Sequence, residues 1–290
     1  MKPPEFEYEA ARSVEEAVEL LHARGEEAKI LAGGQSLVPL MNFRLTRPGL
    51  LIDINGIAAL DYIRDADSGV RIGALTRHRM VEISPIVQKK CPILSEGAKQ
   101  IGHLAIRNRG TFGGSLVHAD PAAELPMLCV ALDASFKLRG RQGERTISAK
   151  DFFVTYLTTT LRPDELLVEV NIPGQPAGIG WGFHELCRRP GDFAIAAVSA
   201  LLTVDKKGNC AEARIAMGGV GPTPIRASEA EAILKGQTLS EQAFAEAGQK
   251  AAAAADPGSD VHASAEFRRY LVGVLTKRAL RDACDRAKGV

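Results

Sequence analysis

The stretch Lys29-Ile30-Leu31-Ala32-Gly33-Gly34-Gln35-Ser36-Leu37 joins a short apolar run to a pair of glycines and then to a hydroxyl. The apolar run reads as a strand and the glycine pair as the turn that ends it. Paired glycines let successive backbone N–H groups converge without Cβ interference, and a concave nest of that kind holds an anion such as pyrophosphate. The same residues also suit a plain strand-to-helix turn with no ligand. Upstream, Ser13 and Glu16 form a capping box ahead of Val14, Ala17, Val18 and Leu21 at helical spacing, which predicts a helix ending near Gly25. Downstream, Leu50 to Ile54 and Val70 to Gly73 read as strands, so the chain to about residue 56 is expected to form a small strand-and-helix lobe.

A second paired-glycine turn follows at Thr111-Phe112-Gly113-Gly114-Ser115. Asp120 and Glu124 lie just beyond it, and carboxylates there suit hydrogen bonds from sugar-alcohol hydroxyls. They suit equally well a helix start at Asp120-Pro121 with Glu124 as a first-turn acid. Two nests about eighty residues apart could grip one diphosphate from two sides. Neither turn fits the GxxxxGK phosphate loop, and neither fits GxGxxG, so the nucleotide folds built on those loops are excluded.

The remaining elements are read from periodicity. Residues 76 to 106 look mostly helical, with a break at Cys91-Pro92, and a helix is expected from Ala122 to Leu132. Strands are expected at Ala134 to Leu138 and at Glu165 to Ile172, the latter alternating as a half-buried strand does. Ile172-Pro173-Gly174-Gln175-Pro176-Ala177-Gly178-Ile179-Gly180 is the best linker candidate. Beyond it come strands at 181–187, 193–204 and 210–217, a glycine turn at 218–222 and two helices. The last helix is expected to bury Phe267, Leu271, Val274 and Leu275 and to leave Arg268 and Arg269 outside.

At 290 residues the chain is long enough for two compact domains, or for one with a substantial lobe. Its net charge of +1 speaks against a nucleic-acid backbone as partner. No apolar run reads as a signal peptide or spans a bilayer, so no transmembrane segment and a cytoplasmic location are expected. The five cysteines and six histidines show no metal-ligand spacing, so no metal site is expected in this chain.

Taken together, Leu31 to Leu37, Ile106 to Ser115 and the run Arg188-Arg189-Pro190-Gly191-Asp192-Phe193-Ala194 resemble the medium, FAD-binding subunit of molybdenum hydroxylases, the carbon monoxide dehydrogenase and xanthine dehydrogenase group. The resemblance covers essentially the whole chain. It implies an α+β fold: a two-lobed FAD-binding domain of the vanillyl-alcohol-oxidase type (lobes 1–57 and 58–174), followed by a small sheet-and-helix domain at 178–290. FAD would lie between the lobes. Its diphosphate and ribityl region would meet Ala32, Gly33, Gly34, Gln35, Ser36 and Leu37, together with Thr111, Gly113, Gly114 and Ser115. Asp120 and Glu124 would face the sugar hydroxyls. Val117, Leu161 and Phe193 would lie beside the isoalloxazine, Ile101 and Ala105 would line the adenine or ring pocket, and His184 stands where the animal enzymes carry a lysine near the pyrimidine edge.

The same resemblance implies partners and chemistry. A large subunit would carry the molybdenum cofactor and hydroxylate the substrate, an N-heterocycle, a purine or carbon monoxide. A small subunit with two 2Fe-2S clusters would feed electrons to this FAD, in a dimer of heterotrimers. No catalytic acid or base is expected in this chain. Two other classes fit the residues: a stand-alone FAD-dependent oxidoreductase of the same fold, and a non-catalytic assembly protein.

Overall fold

A computed structural model describes residues 1–67 and 69–289. The chain is built on three principal sheets that follow one another in sequence. The first is parallel and three-stranded, with Leu50–Asp53 between Glu7–Ala10 and Ala28–Leu31. Helix Val14–Arg24 packs on it through Ala17, Val18 and Leu21. Its capping box forms: the Ser13 hydroxyl accepts the Glu16 amide, while the Glu16 carboxylate reaches one residue past Ser13 to the Arg12 amide at 2.7 Å. Gly25, at φ +55°, ends it.

The second sheet is antiparallel, in the order Ile63–Ala66, Gly69–Gly73, Leu166–Pro173, Ser135–Gly140, Gly143–Ser148. Its middle strand departs from the half-buried reading, because it is covered on both sides. Leu166 and Val168 join the core of the first lobe with Leu50 and Ile52. Leu167, Val170 and Ile172 join the main core with Phe112, Leu128 and Phe136. A bulge between Leu167 and Glu169 shifts the register. This strand therefore joins the two cores. The segment expected to be mostly helical from 76 to 106 is four short helices, His78–Ile83, Pro85–Lys90, Pro92–Gln100 and Leu104–Arg107. Prolines start the second and third, where their missing N–H costs nothing.

The third sheet, Gly180–Leu186, Ala196–Val204, Cys210–Gly218 and Ile225–Arg226, carries three helices rather than two: Ser228–Leu234, Glu241–Ala254 and Ala265–Lys288. The last lies so close to the first strand that a Cβ on Gly180 or Gly182 would stand 1.8 or 2.1 Å from the carbonyl oxygens of Ala283 and Ala279. Its buried face is turned relative to the expectation. Leu271 and Leu275 are inside, but Phe267 is exposed and stacks on Tyr270, and Arg268 is only 8% exposed. The two terminal nitrogens of the Arg268 guanidinium find acceptors inside, the carbonyls of Ile195 (2.6 Å) and Gly219 (3.1 Å) and the Asp260 carboxylate (2.7 Å), while its Nε is buried without a partner.

Among the described residues no helix is long and apolar enough to cross a membrane, and no group of side chains is arranged to hold a metal ion.

Candidate functional site

Strand Ala28–Leu31 is an edge strand of the parallel sheet, and the chain leaving it opens into a cavity of about 440 Å³. Leu31, Ala32, Gly33, Gly34 and Gln35 line it, together with Asp53, Asn55 and Arg109. Gly34 takes φ +71°, a left-handed conformation natural to glycine. The amides of Gly33, Gly34, Gln35, Ser36 and Leu37 donate to no protein acceptor among the described residues. Ser36 begins helix Leu37–Asn42 without turning its hydroxyl back on the backbone. A run of uncommitted amides on a cavity with an arginine in its wall is the chemistry a diphosphate requires.

The second glycine segment differs from its expectation. Thr111 caps helix Phe112–His118, so both glycines sit inside a helical first turn rather than in a nest. Four of its amides are already spent. Phe112 donates to the Thr76 carbonyl and Gly113 to that of Ala74, both at 2.9 Å. Ser115 donates to the Thr111 carbonyl at 3.1 Å, and Gly114 to the Thr111 hydroxyl at 3.2 Å. The glycines serve close approach. A Cβ on Gly113 would stand 2.7 Å from that of Ala74. Gly114 and Ser115 remain at least partly open to solvent.

Between the two segments runs a chain of hydrogen bonds that the sequence did not announce. Asn55 donates to the Ala32 carbonyl at 2.8 Å and to Asp53 at 2.7 Å, and Asp53 accepts the Tyr8 hydroxyl at 2.7 Å. Burial opposes the charge on Asp53, but these donors prevail and hold its carboxyl below the usual range. Arg77 donates to the Asn55 side chain at 2.7 Å and to the Arg109 carbonyl at 2.6 Å. Asn55-Gly56 reads in sequence only as the end of a strand, and Arg77 carries no local signal at all.

A second cavity, of about 660 Å³, opens beside the third sheet, with Asp120, Tyr156, Arg188, Asp192, Phe193 and Arg268 among its walls. Phe193 is 66% exposed there. Val117 and Leu161 are half-buried against the main core, Ile101 is buried in it, and Ala105 is exposed on the helix Leu104–Arg107. The expected residues thus fall into two groups, the first glycine segment on one cavity and Asp120 and Phe193 on the other.

His184 lies apart from both cavities. It faces the last helix from the same side of its strand as Gly180 and Gly182, and its Nε2 is 3.0 Å from Asp282. Its neighbour Glu185 faces the other way, as alternation in a strand requires. Burial, and then the nearby charge of Glu124, pushes the Glu185 carboxyl up to about 8; one of its oxygens is buried without a partner. Glu124 is 7% exposed at the start of helix Glu124–Ala131. Burial, with Asp120 adding to it, pushes its carboxyl up to about 7. Two carboxyls that both resist ionisation therefore lie within electrostatic reach of one another, Glu185 being outside every motif of the sequence.

Residues 4–175 match the family described as the FAD binding domain in molybdopterin dehydrogenase, and residues 181–283 the CO dehydrogenase flavoprotein C-terminal domain. The chain is 48% identical to the 6-hydroxypseudooxynicotine dehydrogenase complex subunit alpha of Paenarthrobacter nicotinovorans, covering 99% of this chain and 97% of that one. It is 40% identical to the carbon monoxide dehydrogenase medium chain of Hydrogenophaga pseudoflava, covering 99% of each. Among solved structures, carbon monoxide dehydrogenase from H. pseudoflava lacking the Mo-pyranopterin moiety superposes with a TM-score of 0.97 at 42% identity, covering 99% of both chains. Quinoline 2-oxidoreductase from Pseudomonas putida 86 does so with a TM-score of 0.95 at 38% identity, again covering 99% of both chains.

Proposed function

The chain belongs to the family of FAD-binding medium subunits of molybdenum hydroxylases, and on that premise we propose that it takes electrons from the 2Fe-2S clusters of a small partner subunit and hands them through FAD to an external acceptor. The substrate is oxidised elsewhere, at a molybdenum cofactor in a large partner subunit. The complex is a dimer of heterotrimers working in the cytoplasm, and its substrate is an N-heterocyclic compound. The 48% identity to a 6-hydroxypseudooxynicotine dehydrogenase subunit, against 40% to a carbon monoxide dehydrogenase chain, favours that substrate class. The chain divides into lobes at 1–57 and 58–174 and a third domain at 178–290.

FAD supplies the electron exchange when bound; the chain contributes binding, orientation and tuning. The amides of Gly33 to Leu37 and the Arg109 side chain hold the diphosphate. Thr111, Gly114 and Ser115 close the far side, and Gly113 sets how near that side comes. Glu124 accepts from a sugar hydroxyl. Val117, Leu161 and Phe193 flank the ring, which reaches toward the larger cavity lined by Asp120. Ile101 supports the pocket from the core, and Ala105 borders it.

The observation that carries this reading is the run of uncommitted amides from Gly33 to Leu37, which begins in a cavity that Arg109 also lines. The test is to isolate the complex from its host through a tag on this chain and to record its absorption and released flavin. About one FAD per chain with added iron–sulfur absorption, and bleaching of both on adding an N-heterocyclic substrate, is the expected result. Flavin without iron–sulfur absorption in an intact preparation would favour the stand-alone oxidoreductase. A folded complex without flavin would overturn the site.

A further inference from the structure

Arg77 lies outside every motif and does not line the cavity, yet it touches both of the segments that the motifs mark. One nitrogen of its guanidinium donates to the Arg109 carbonyl at 2.6 Å. The other donates at 2.7 Å to the Asn55 side-chain oxygen, and the Asn55 amide group donates in turn to the Ala32 carbonyl at 2.8 Å. The link thus runs from the carbonyl that opens the first glycine segment to the carbonyl just before the second. Along the same line the backbones nearly touch: a Cβ on Gly33 would stand 2.5 Å from the Arg109 carbonyl oxygen and 2.8 Å from the Gly110 Cα. Arg77 is itself fixed, since its residue pairs with Thr111 in an isolated bridge and its neighbour His78 donates its amide to the Gly110 carbonyl at 3.0 Å.

We propose that Arg77 is a positioning residue for the flavin: its planar guanidinium holds the two glycine segments at one spacing and so preorganises the diphosphate cavity. Both of its acceptors are neutral oxygens, so its charge is spent on the clasp, while Arg109 lines the cavity, where its charge also acts on Asp53. Lysine cannot replace it, because a single ammonium does not span two acceptors in fixed directions as a guanidinium does. Preorganisation of this kind appears as ligand affinity rather than as stability of the empty protein. The proposal rests on reading this cavity as the diphosphate site.

The test uses the full chain in its complex, stripped reversibly of FAD, with the dissociation constant for FAD and the melting temperature of the flavin-free form as readouts. Arg77→Met and Arg77→Lys are both expected to weaken FAD binding about tenfold or more, the scale of one charge-assisted hydrogen bond, with the melting temperature of the flavin-free form little changed. In an Asn55→Ala background the further loss on removing Arg77 is expected to shrink to about threefold or less, because the clasp is already open. This cycle also decides the matter if Arg77→Met lowers the melting temperature. Wild-type affinity in Arg77→Lys would mean that charge alone matters and would overturn the clasp. A melting-temperature loss with unchanged FAD affinity would reduce Arg77 to a structural residue and overturn it equally. Val38→Trp separates this failure from failure of the site itself. Val38 lines the same cavity, is 40% exposed, and a tryptophan there fills the space. If Val38→Trp blocks FAD and Arg77→Met does not, the clasp falls and the site stands; if neither affects FAD, both fall.

Discussion

Gly33 and Arg109 are in backbone contact across the junction of the two lobes, with room for a hydrogen but not for a methyl group on Gly33. The first segment is held against the second by shape as well as by hydrogen bonds. Gly33→Ala forces them apart by several tenths of an ångström beside the cavity. The expected outcome is a flavin-to-protein ratio less than about half that of the wild type in a complex that still folds, since the added methyl strains a local contact rather than the core. Circular dichroism and the visible spectrum of the purified complex check this. A full complement of flavin would show that the spacing is not critical.

Glu124 and Glu185 give the flavin-free protein a pH dependence. Both carboxyls are raised in the folded chain, to about 7 and about 8, above the ordinary glutamate value of 4.5. Between pH 4.5 and 8 the folded chain therefore keeps protons that the unfolded chain has released. The contribution of the pair to stability is intact below about pH 4.5 and is lost as the pH rises toward 8. Glu185→Gln removes the more strongly shifted member and relieves the other, so urea midpoints measured at pH 5, 6.5 and 8 should fall less steeply than in the wild type. Parallel slopes in the two proteins would rule the pair out as their source.

Gly182→Val inserts a branched side chain between a strand and the helix lying on it, where the Ala279 carbonyl leaves no space. Overpacking of this kind costs about 1–3 kcal/mol and occasionally more. The denaturation midpoint should fall accordingly. The same change at Gly208, which has open space around it but a positive φ, should cost less, through backbone strain alone.

Phe193→Ala separates a ligand contact from a structural one. An aromatic side chain that is 66% exposed contributes little to the core, so the stability of the flavin-free chain should change by no more than about 0.5 kcal/mol. The visible absorption of the bound flavin and its reduction potential should both shift. Unchanged flavin spectra would remove Phe193 from the ring's surroundings.

What could be read in advance follows from where each signal resides. The first helix was legible because its cap, its buried face and its stop are all local: Ser13, then Ala17, Val18 and Leu21, then Gly25. The first glycine segment was legible for the same reason. The second is visible as a glycine pair but not as a helical turn, since the Phe112 and Gly113 amides go to the carbonyls of Thr76 and Ala74, distant residues that no glycine pattern reveals. The middle strand of the second sheet looked half-buried because Glu169 and Asn171 suggested a wet face. That face meets Tyr62, whose hydroxyl binds Glu169 at 2.7 Å. Arg268 was placed outside because arginine usually is; its acceptors are backbone oxygens at positions 195 and 219, which leave no trace in composition. His184 and Glu185 differ by one place in a strand, and only the strand's register decides which of them faces Glu124.

The last helix, Ala265–Lys288, lies directly on strand Gly180–Leu186, and its Leu271, Leu275, Ala279 and Ala283 share a core with Ala196, Val198, Ala200 and Leu202 of the next strand. On the ribosome this order has a cost in time. The strands emerge first and present that apolar strip uncovered until the final helix has cleared the exit tunnel, while both flavin-binding lobes already have all of their chain available. A message cut short before codon 265 would therefore yield a product with a finished front half and a sticky rear, a natural client for chaperones and proteases. Incorporation of this chain into a larger assembly then depends on translation having passed this helix.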